Sequence, residues 1–459
     1  MSLYQADGLE IQYLSSEEIE LLSPEPLPDN SEGQLLNIQQ KLKDTGQWHD
    51  GQIAGRRWAV CSVALEVTQR CNLDCTLCYL SEHSEAVKDV PLAELFRRID
   101  MIFTHYGVNT DIQITGGDPT LRKREDLIKI VKYITALGMR CSLFTNGILA
   151  TRDLLESLSN AGLSDVAFHV DITQLRKGYD SEEALNEIRQ KYIDRARGLP
   201  LAVFFNTSVC AENFADIPGI VRFFSKHTDV VSLISFQLQA DTGRGVLRER
   251  GQQIDQQTVI QQIESAIGTS LCFDTLVAGH QRCNSYAMAF AINGNYYDFY
   301  DDVKFSRTLL DATAQAVLPR KHRAEAKKYA VQAFLRAPSV WWPATRWLAK
   351  KFWAAKYDLW AARGRVQKMT FVLHNFMDAS KLERDRIHSC VFMVATSEGP
   401  ISMCLHNAKR DQYLFSGQTG AEQPKLDPVA VYPIKFLKGR SKQRALAENP
   451  APAPAESEI

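Results

Sequence analysis

An alternation of short apolar runs with longer amphipathic segments constrains the fold of this chain more than any other feature. Six runs rich in Val, Ile, Leu and Phe begin near positions 62, 111, 140, 165, 201 and 230, and a helical pattern follows each run. Continuous apolar runs of this length are typical of parallel strands that are covered on both faces. Because parallel strands joined by helices form right-handed βαβ units, the sequence predicts an α/β fold, a partial (β/α)6 barrel rather than a closed eightfold one.

The alternation stops near position 271, and the remaining sequence predicts an α+β extension at the C-terminal side of the barrel. We expect two hairpins there, one at 286–300 around Asn293-Gly294 and one formed by 390–395 and 401–405. The predicted division is a lead-in at 1–58, the core barrel at 59–270, the extension at 271–445 and a disordered tail at 446–459. The lead-in is expected to be extended, with one short helix.

Cys71, Cys75 and Cys78 form a CxxxCxxC pattern directly after the first predicted strand. Three thiolates in one tight loop bind three irons of a [4Fe–4S] cubane and leave the fourth iron without a protein ligand. The alternative is a structural zinc or electron-transfer site, but zinc usually takes four ligands with paired CxxC spacing. Because no second pair lies nearby in the sequence, the spacing favours an iron–sulfur cluster with one open corner.

This pattern resembles the radical S-adenosylmethionine (SAM) superfamily, whose members chelate SAM at the open iron and are built on TIM-like barrels. Gly116-Gly117-Asp118 is similar to the family's Gly-Gly-Glu, with an Asp in place of the Glu, and Tyr79 fits the aromatic residue that contacts adenine. The resemblance covers roughly positions 60–245. It implies cofactor contacts at the tips of successive strands, at Tyr79, Gly116, Gly117, Asp118, Asn146, Asp171, Thr207 and Gln239.

The resemblance also implies a reaction and a partner. A reduced cluster would cleave SAM to methionine and a 5′-deoxyadenosyl radical, which abstracts hydrogen from an unactivated C–H bond. The electron would come from a reductant such as flavodoxin or ferredoxin. The residues that act on the substrate are not identified by the resemblance.

His280, Cys283, Cys390 and Cys404 are a candidate auxiliary metal site. Cys390 and Cys404 flank the turn of the second predicted hairpin at nearly equal separations, and antiparallel partners approach to about 5.5 Å. The alternative is four separate packing residues, because free cysteine is commonly buried. The stretch from Phe376 to Asn407 resembles radical SAM proteins that act on lipids, the tetraether lipid synthase group. This resemblance implies a lipid or isoprenoid substrate, and a peptide or small metabolite is the alternative.

A basic, tryptophan-rich segment lies within the extension. Five of the seven tryptophans fall between positions 341 and 360, and thirteen Lys or Arg stand against two acids between 320 and 368. Trp342, Ala349, Trp353 and Trp360 fall on one side of a predicted helix, as in helices that lie on anionic membranes. The alternatives are a helix packed on the barrel, or a surface for nucleic acid or another partner. We expect peripheral membrane contact through 341–365 and no nucleic acid.

Charge and cysteine usage bear on location and partners. The formal net charge of −1 gives no overall field that favours nucleic acid. No run of eighteen apolar residues is present, and the polar N-terminus lacks the pattern of a signal peptide. Three of the ten cysteines crowd into eight residues, which favours metal binding in a reducing compartment over disulfides. We therefore expect a cytoplasmic protein, peripheral at the inner face of the membrane.

Overall fold

The architecture, in a computed structural model, is a single mixed β-sheet with helices packed against it. The structure describes residues 11–26, 33–245, 254–314 and 323–415. Their strands are β1 (Ser62–Thr68), β2 (Asp111–Gly116), β3 (Arg140–Thr145), β4 (Asp165–His169), β5 (Ala202–Val209), β6 (Val231–Leu238), β7 (Asn284–Ile292), β8 (Asn295–Asp298), β9 (Gln367–Asn375), β10 (Phe392–Ala395) and β11 (Pro400–Ser402). The sheet order is β11-β10-β1-β2-β3-β4-β5-β6-β9-β7-β8.

Helices connect most consecutive strands. In chain order they are α1 (Ser16–Leu21), α2 (Gln34–Asp44), α3 (Leu92–Tyr106), α4 (Arg124–Ala136), α5 (Arg152–Ala161), α6 (Asn186–Ala196), α7 (Ile217–Ser225), α8 (Gln256–Ile267), α9 (Val303–Ala312), α10 (Arg323–Leu335), α11 (Trp341–Ala361), α12 (Arg384–His388), α13 (Met403–Ala408) and α14 (Arg410–Phe415).

Strands β1 to β6 confirm the predicted (β/α)6 barrel. Each strand pairs in parallel with the next one along the chain. All seven residues of β1 are buried, as the continuous apolar run predicted. Amphipathic helices cover the sheet, and α3 for example buries Leu95, Ile99 and Ile102 against it. Removal of these apolar side chains from water stabilises the barrel and fixes the strand ends that carry the candidate site.

Two strands of the extension lengthen the parallel sheet at both edges. β9 pairs in parallel with β6, and β10 pairs in parallel with β1. The rings of His374 on β9 and Phe392 on β10 lie 5.3 Å apart between centroids, so the two edges meet through side chains. Strands β10, β1 to β6 and β9 are eight neighbouring parallel strands. If Phe392 on β10 is followed across the sheet through its paired residues, the trace reaches about position 365 at β9, about nine residues before His374. This offset is close to eight, the stagger of a closed eight-stranded barrel. The extension therefore brings the barrel close to closure, which the sequence analysis did not foresee.

The hairpins of the extension differ in how well they were predicted. β7 and β8 meet at Asn293-Gly294, and both residues have positive φ (+52° and +83°), as a two-residue turn requires. The second hairpin is shorter than predicted, because its ladder ends at Met393 opposite Ser402. Cys404 accordingly lies on α13 rather than on a strand. The helix predicted in the basic segment at 320–368 ends at Ala361, and Gln367 and Lys368 already belong to β9.

Residues of the lead-in, the barrel and the extension share one hydrophobic core. The lead-in contains the helices α1 and α2 as well as extended chain, and α2 buries Ile38 and Leu42 in this core. Met369 and Phe371 of β9 and Met393 of β10 belong to that same core. The predicted tail at 446–459 lies outside the described residues. Among the helices of the described residues, none combines the length and the apolar character that a membrane span requires.

Candidate functional site

The three clustered cysteines occupy one loop at the carboxyl end of β1. The loop is anchored by Thr76, whose backbone N–H and side-chain hydroxyl both donate to the carbonyl of Thr173 after β4, at 2.8 and 3.3 Å. Cys71, Cys75 and Cys78 are partly exposed, and the cysteines that the structure describes form no disulfide. The fold therefore presents three accessible thiols where the active sites of such barrels lie.

Gly116 and Gly117 are required by the backbone that leads to this loop. Gly117 N–H donates to the Thr68 carbonyl at 2.9 Å, and a Cβ on Gly116 would stand 1.9 Å from that same oxygen. A Cβ on Gly117 would stand 2.1 Å from the carbonyl oxygen of Arg70. We expected these glycines to let the backbone approach a ligand. In the structure they let the end of β2 pack against residues 68–70, and so they position the cysteine loop.

Asp118 has a different role from the expected cofactor contact. Its side chain is fully buried, and its carboxylate accepts hydrogen bonds from the backbone N–H groups of Thr120 and Asn146 and from the hydroxyls of Thr120 and Thr145. A carboxylate with this many donors has little capacity left for a ligand. Asp118 therefore ties the end of β2 to the end of β3.

Asn146, at the end of β3, reaches the cysteine loop. Its side-chain NH2 donates to the Asn72 side chain at 2.6 Å and lies 3.9 Å from the sulfur of Cys71. The Ile148 N–H donates to its side-chain oxygen and fixes the amide orientation. Asn146 thus links the third strand tip to the first cysteine.

Asp171 is buried like Asp118 and supports His169 on β4. Its carboxylate oxygen lies 2.6 Å from Nε2 of His169 and accepts from the Ser208 N–H at 2.7 Å. Burial by itself raises the pKa of Asp171, but His169 and the hydrogen bonds outweigh burial and hold the pKa below its usual value. The imidazole of His169 is about one-third exposed. The structure therefore makes His169 the group at this tip that faces open space and Asp171 its support.

Tyr79 closes one side of the cysteine loop. Its hydroxyl donates to the Gly116 carbonyl, and the guanidinium of Arg410 lies 4.6 Å from the ring centroid. Burial raises the pKa of this phenol well above its usual value, so the hydroxyl keeps its proton. One face of the ring is covered by Arg410, and the predicted adenine contact is restricted to the other face.

The last two strand tips carry Thr207 and Gln239. The hydroxyl of Thr207 is buried on β5 and has no hydrogen-bond partner among the described residues. Gln239, just beyond β6, donates from its side chain to Asp241 at 3.2 Å. Thr207 lies on the same face of β5 as Phe205, whose ring contacts Phe224 of α7, so its hydroxyl faces the helix layer rather than the cysteine loop.

Two arginines beside the cysteines were missed by the sequence analysis. Arg244 is buried and donates a hydrogen bond to Cys78. Arg176 lies close enough to Cys75 to lower its pKa, and it donates to the Asn146 carbonyl at 2.7 Å. The sequence signal that could have pointed to Arg244 is Gly-Arg-Gly, just after β6. Gly243 is required there, because a Cβ at this position would stand 2.3 Å from the backbone of Tyr79. The segment at 243–245 covers the loop and brings a cation to it.

The residues present fit an iron–sulfur cluster. Burial raises the pKa of Cys71 to about 11 and holds that of Cys75 well above its usual value, so these two thiols are protonated until a metal displaces the protons. Three thiolates with two guanidinium groups beside them suit an anionic cluster better than a bare cation. Within the described residues, no three His, Cys, Asp or Glu side chains are placed to hold one metal ion. A cubane does not require three ligands around one ion, because each thiolate binds a separate iron.

The residues of the predicted auxiliary site partly come together. Cys390 lies close enough to Cys283 and Cys404 to raise the pKa of both thiols. The buried Arg386 lies beside them, with its Nε 3.3 Å from the sulfur of Cys283. His280 accepts from the Arg282 N–H at 3.1 Å through Nδ1. The cross-strand pairing that we expected between Cys390 and Cys404 was wrong, because neither residue lies in the ladder. The auxiliary metal centre itself stays a prediction.

Comparison with known proteins identifies the barrel segment. Residues 65–224 match the Radical SAM superfamily. The chain is 31% identical to the 7,8-dihydro-6-hydroxymethylpterin dimethyltransferase of Methanocaldococcus jannaschii over 39% of this chain and 36% of that protein. It is 28% identical to the PqqA peptide cyclase of Bradyrhizobium diazoefficiens over 35% of this chain and 42% of that protein. The matches thus span less than half the length of these two relatives.

A solved structure aligns over a similar share of the chain. It is Streptococcus suis SuiB bound to its precursor peptide SuiA, with a TM-score of 0.36 and 13% identity over 51% of this chain and 49% of that chain.

Proposed function

We propose that the radical SAM domain at residues 65–224 makes this chain a radical SAM enzyme, with a [4Fe–4S] cluster held by Cys71, Cys75 and Cys78. One observation carries the proposal: three partly exposed thiols share a single loop at the barrel mouth, beside two arginines. When bound and reduced by a donor such as flavodoxin or ferredoxin, the cluster supplies the electron that splits SAM and yields a hydrogen-abstracting radical.

The side chains around the loop have separate tasks in this proposal. Arg244 and Arg176 offset the negative charge that three thiolates bring together. Asn146 holds the loop at Cys71 through Asn72. His169 presents a polar group that is available to a ligand at the fourth strand tip. Asp118 ties the end of β2 to that of β3, and Asp171 ties the end of β4 to β5.

The test is SAM cleavage by anaerobically reconstituted protein. We expect about four irons per chain and formation of 5′-deoxyadenosine on reduction with dithionite, measured by liquid chromatography. A Cys75→Ala variant should lose both iron and cleavage. A Cys61→Ala variant, which changes a thiol outside the loop, should keep both. Protein that carries zinc alone, or that holds the cluster but leaves SAM intact, would overturn the proposal.

The proposed substrate class is a lipid or isoprenoid, with a peptide or small metabolite as the second candidate. The lipid proposal is supported by the resemblance at 376–407 and by the exposed aromatic side chains of α11. The second candidate is supported by the names of the relatives, which are a pterin methyltransferase and a peptide cyclase. Extracts of cells with and without the gene distinguish the two. Loss of a lipid species with unchanged soluble metabolites supports the first, and the reverse result supports the second.

A further inference from the structure

Helix α11 is fixed to the protein by one face. Ala344 and Trp347 pack with Phe305 of α9, and Ala355 packs with Ile292 of β7. Asp358 accepts hydrogen bonds from three side chains of the β7–β8 hairpin, those of Asn293, Asn295 and Tyr297, at 3.0, 2.8 and 2.5 Å. These contacts set the rotation of the helix, so its opposite face is held in a defined orientation.

That opposite face is apolar and exposed. Trp342, Trp353 and Trp360 are 76%, 70% and 86% exposed, and they follow each other at intervals that place them on one side of the helix. Phe352 and Leu348 widen the same surface and are also mostly exposed. We call these five residues the α11 outer face. Soluble surfaces rarely leave so many large apolar side chains together in water.

Cations border the α11 outer face, and acids are scarce there. Arg346 and Lys356 are carried by α11 itself, and the ammonium of Lys356 lies 3.8 Å from the ring centroid of Trp353. Arg363, Arg365 and Lys368 follow the helix and are exposed. The acid of α11, Asp358, points to the hairpin and not to this face. The surface therefore combines aromatic side chains with positive charge.

We propose that the α11 outer face docks on an anionic lipid surface. Tryptophan prefers the boundary between headgroups and acyl chains, and the flanking cations attract acidic headgroups. A second copy of this chain fits less well, because two such faces would bring like charges together. Nucleic acid would leave the leucine and phenylalanine without an apolar partner. The proposal does not depend on SAM cleavage, so the two proposals fail separately.

The first experiment is flotation of the full chain with lipid vesicles. We expect the protein to float with vesicles of phosphatidylcholine and phosphatidylglycerol and much less with phosphatidylcholine alone. A Trp353→Glu, Trp360→Glu variant should reduce the bound fraction about tenfold or more, because it removes apolar area and adds charge repelled by the vesicle. The matched control is Leu21→Glu, Leu36→Glu, which makes the same charge change at exposed apolar residues of α1 and α2. The control should float as the unmodified protein does.

The second measurement uses the intrinsic fluorescence of the protein. Because five of its seven tryptophans lie at 341–360, docking should shift the emission to the blue, and brominated lipids should quench it. Equal flotation of both double variants would overturn the proposal. So would unmodified protein that stays unbound while the α11 variant abolishes a dimer in analytical ultracentrifugation. Loss of flotation with unchanged circular dichroism and SAM cleavage supports it.

Discussion

Asp118 and Asp171 perform the same structural task at two places of the barrel mouth. Each follows a parallel strand, starts a short turn and accepts hydrogen bonds from the N–H and hydroxyl of the threonine two residues on. Each also reaches a neighbouring strand tip, at Asn146 for Asp118 and at Ser208 for Asp171. An acid at this position therefore need not touch a cofactor, because the repeated geometry explains it as a tie between strand ends.

Gly117 offers a direct test of how the cysteine loop is positioned. In a Gly117→Ala variant the added Cβ would collide with the Arg70 carbonyl, so the loop or the end of β2 must move. We expect a loss of about 1–3 kcal/mol in the free energy of unfolding and poor iron retention, measured by chemical denaturation and iron analysis.

The control for this prediction is Gly219→Ala. Gly219 lies within α7 and has open space around the position of a new Cβ. Alanine favours helix, so stability should be unchanged or rise by up to about 1 kcal/mol. Equal iron content in the two variants would show that the close approach at Gly117 does not position the loop.

Arg244 is expected to set the reduction potential of the cluster rather than its binding. An Arg244→Gln variant removes a buried cation beside Cys78. Because reduction adds negative charge, loss of the cation should lower the potential by tens of millivolts up to about 100 mV. Redox titration monitored by electron paramagnetic resonance measures this, and Arg244→Lys should shift the potential less. A potential that is the same in both variants and the unmodified protein would refute the role.

At the scale of elements, the short helix α14 is held to the barrel by a buried ion pair. Arg410 donates to both carboxylate oxygens of Glu66 on β1, at 2.8 and 3.0 Å, and also covers the ring of Tyr79. Burial alone would raise the pKa of Glu66, but Arg410, His406 and Gln69 together lower it to about 2. The C-terminal segment is thereby linked to the cysteine loop.

This pair makes stability depend on pH in a defined direction. The pKa of Glu66 is lower in the folded chain than its ordinary value of 4.5, so its contribution is present above pH 4.5 and is lost as pH falls toward 2. In an Arg410→Met variant the buried carboxylate loses its ion-pair partner and keeps the hydrogen bond from Gln69, which should cost about 3–5 kcal/mol at neutral pH. That loss should shrink on acidification, because protonated Glu66 tolerates burial. Denaturation at several pH values measures both effects.

A surface ion pair provides the comparison. Lys191 and Glu187 are 2.7 Å apart, but both side chains are more than half exposed. Solvent screens such pairs, and a Glu187→Gln variant should show no measurable change in stability. An Arg410→Met protein as stable as this control would contradict the proposed role of the buried pair.

The elements also show which parts of the fold sequence patterns predict. Strands β2 and β3 begin where their apolar runs predicted them, because each follows from local spacing. β9 was missed, and the pairing of β10 with β1 was not foreseen, because pairing joins residues hundreds of positions apart. The cysteines were predicted because their spacing is local. Arg244 and Arg176 were not, because only the folded chain brings them to the loop.

For the whole molecule, the position of β9 and β10 predicts that the barrel segment does not fold by itself. A fragment of residues 59–270 keeps β1 to β6 but loses the strands that pair with both of its edges. The fragment also lacks the core residues Met369, Phe371 and Met393. Its Glu66 lacks the ion pair with Arg410. Unpaired edges and exposed apolar surface favour aggregation. We expect the fragment to be aggregated or unfolded by size-exclusion chromatography and circular dichroism, whereas the full chain is folded. A monomeric fragment with a cooperative thermal transition would show that six strands suffice, and that the extension is added to a complete domain rather than built into it.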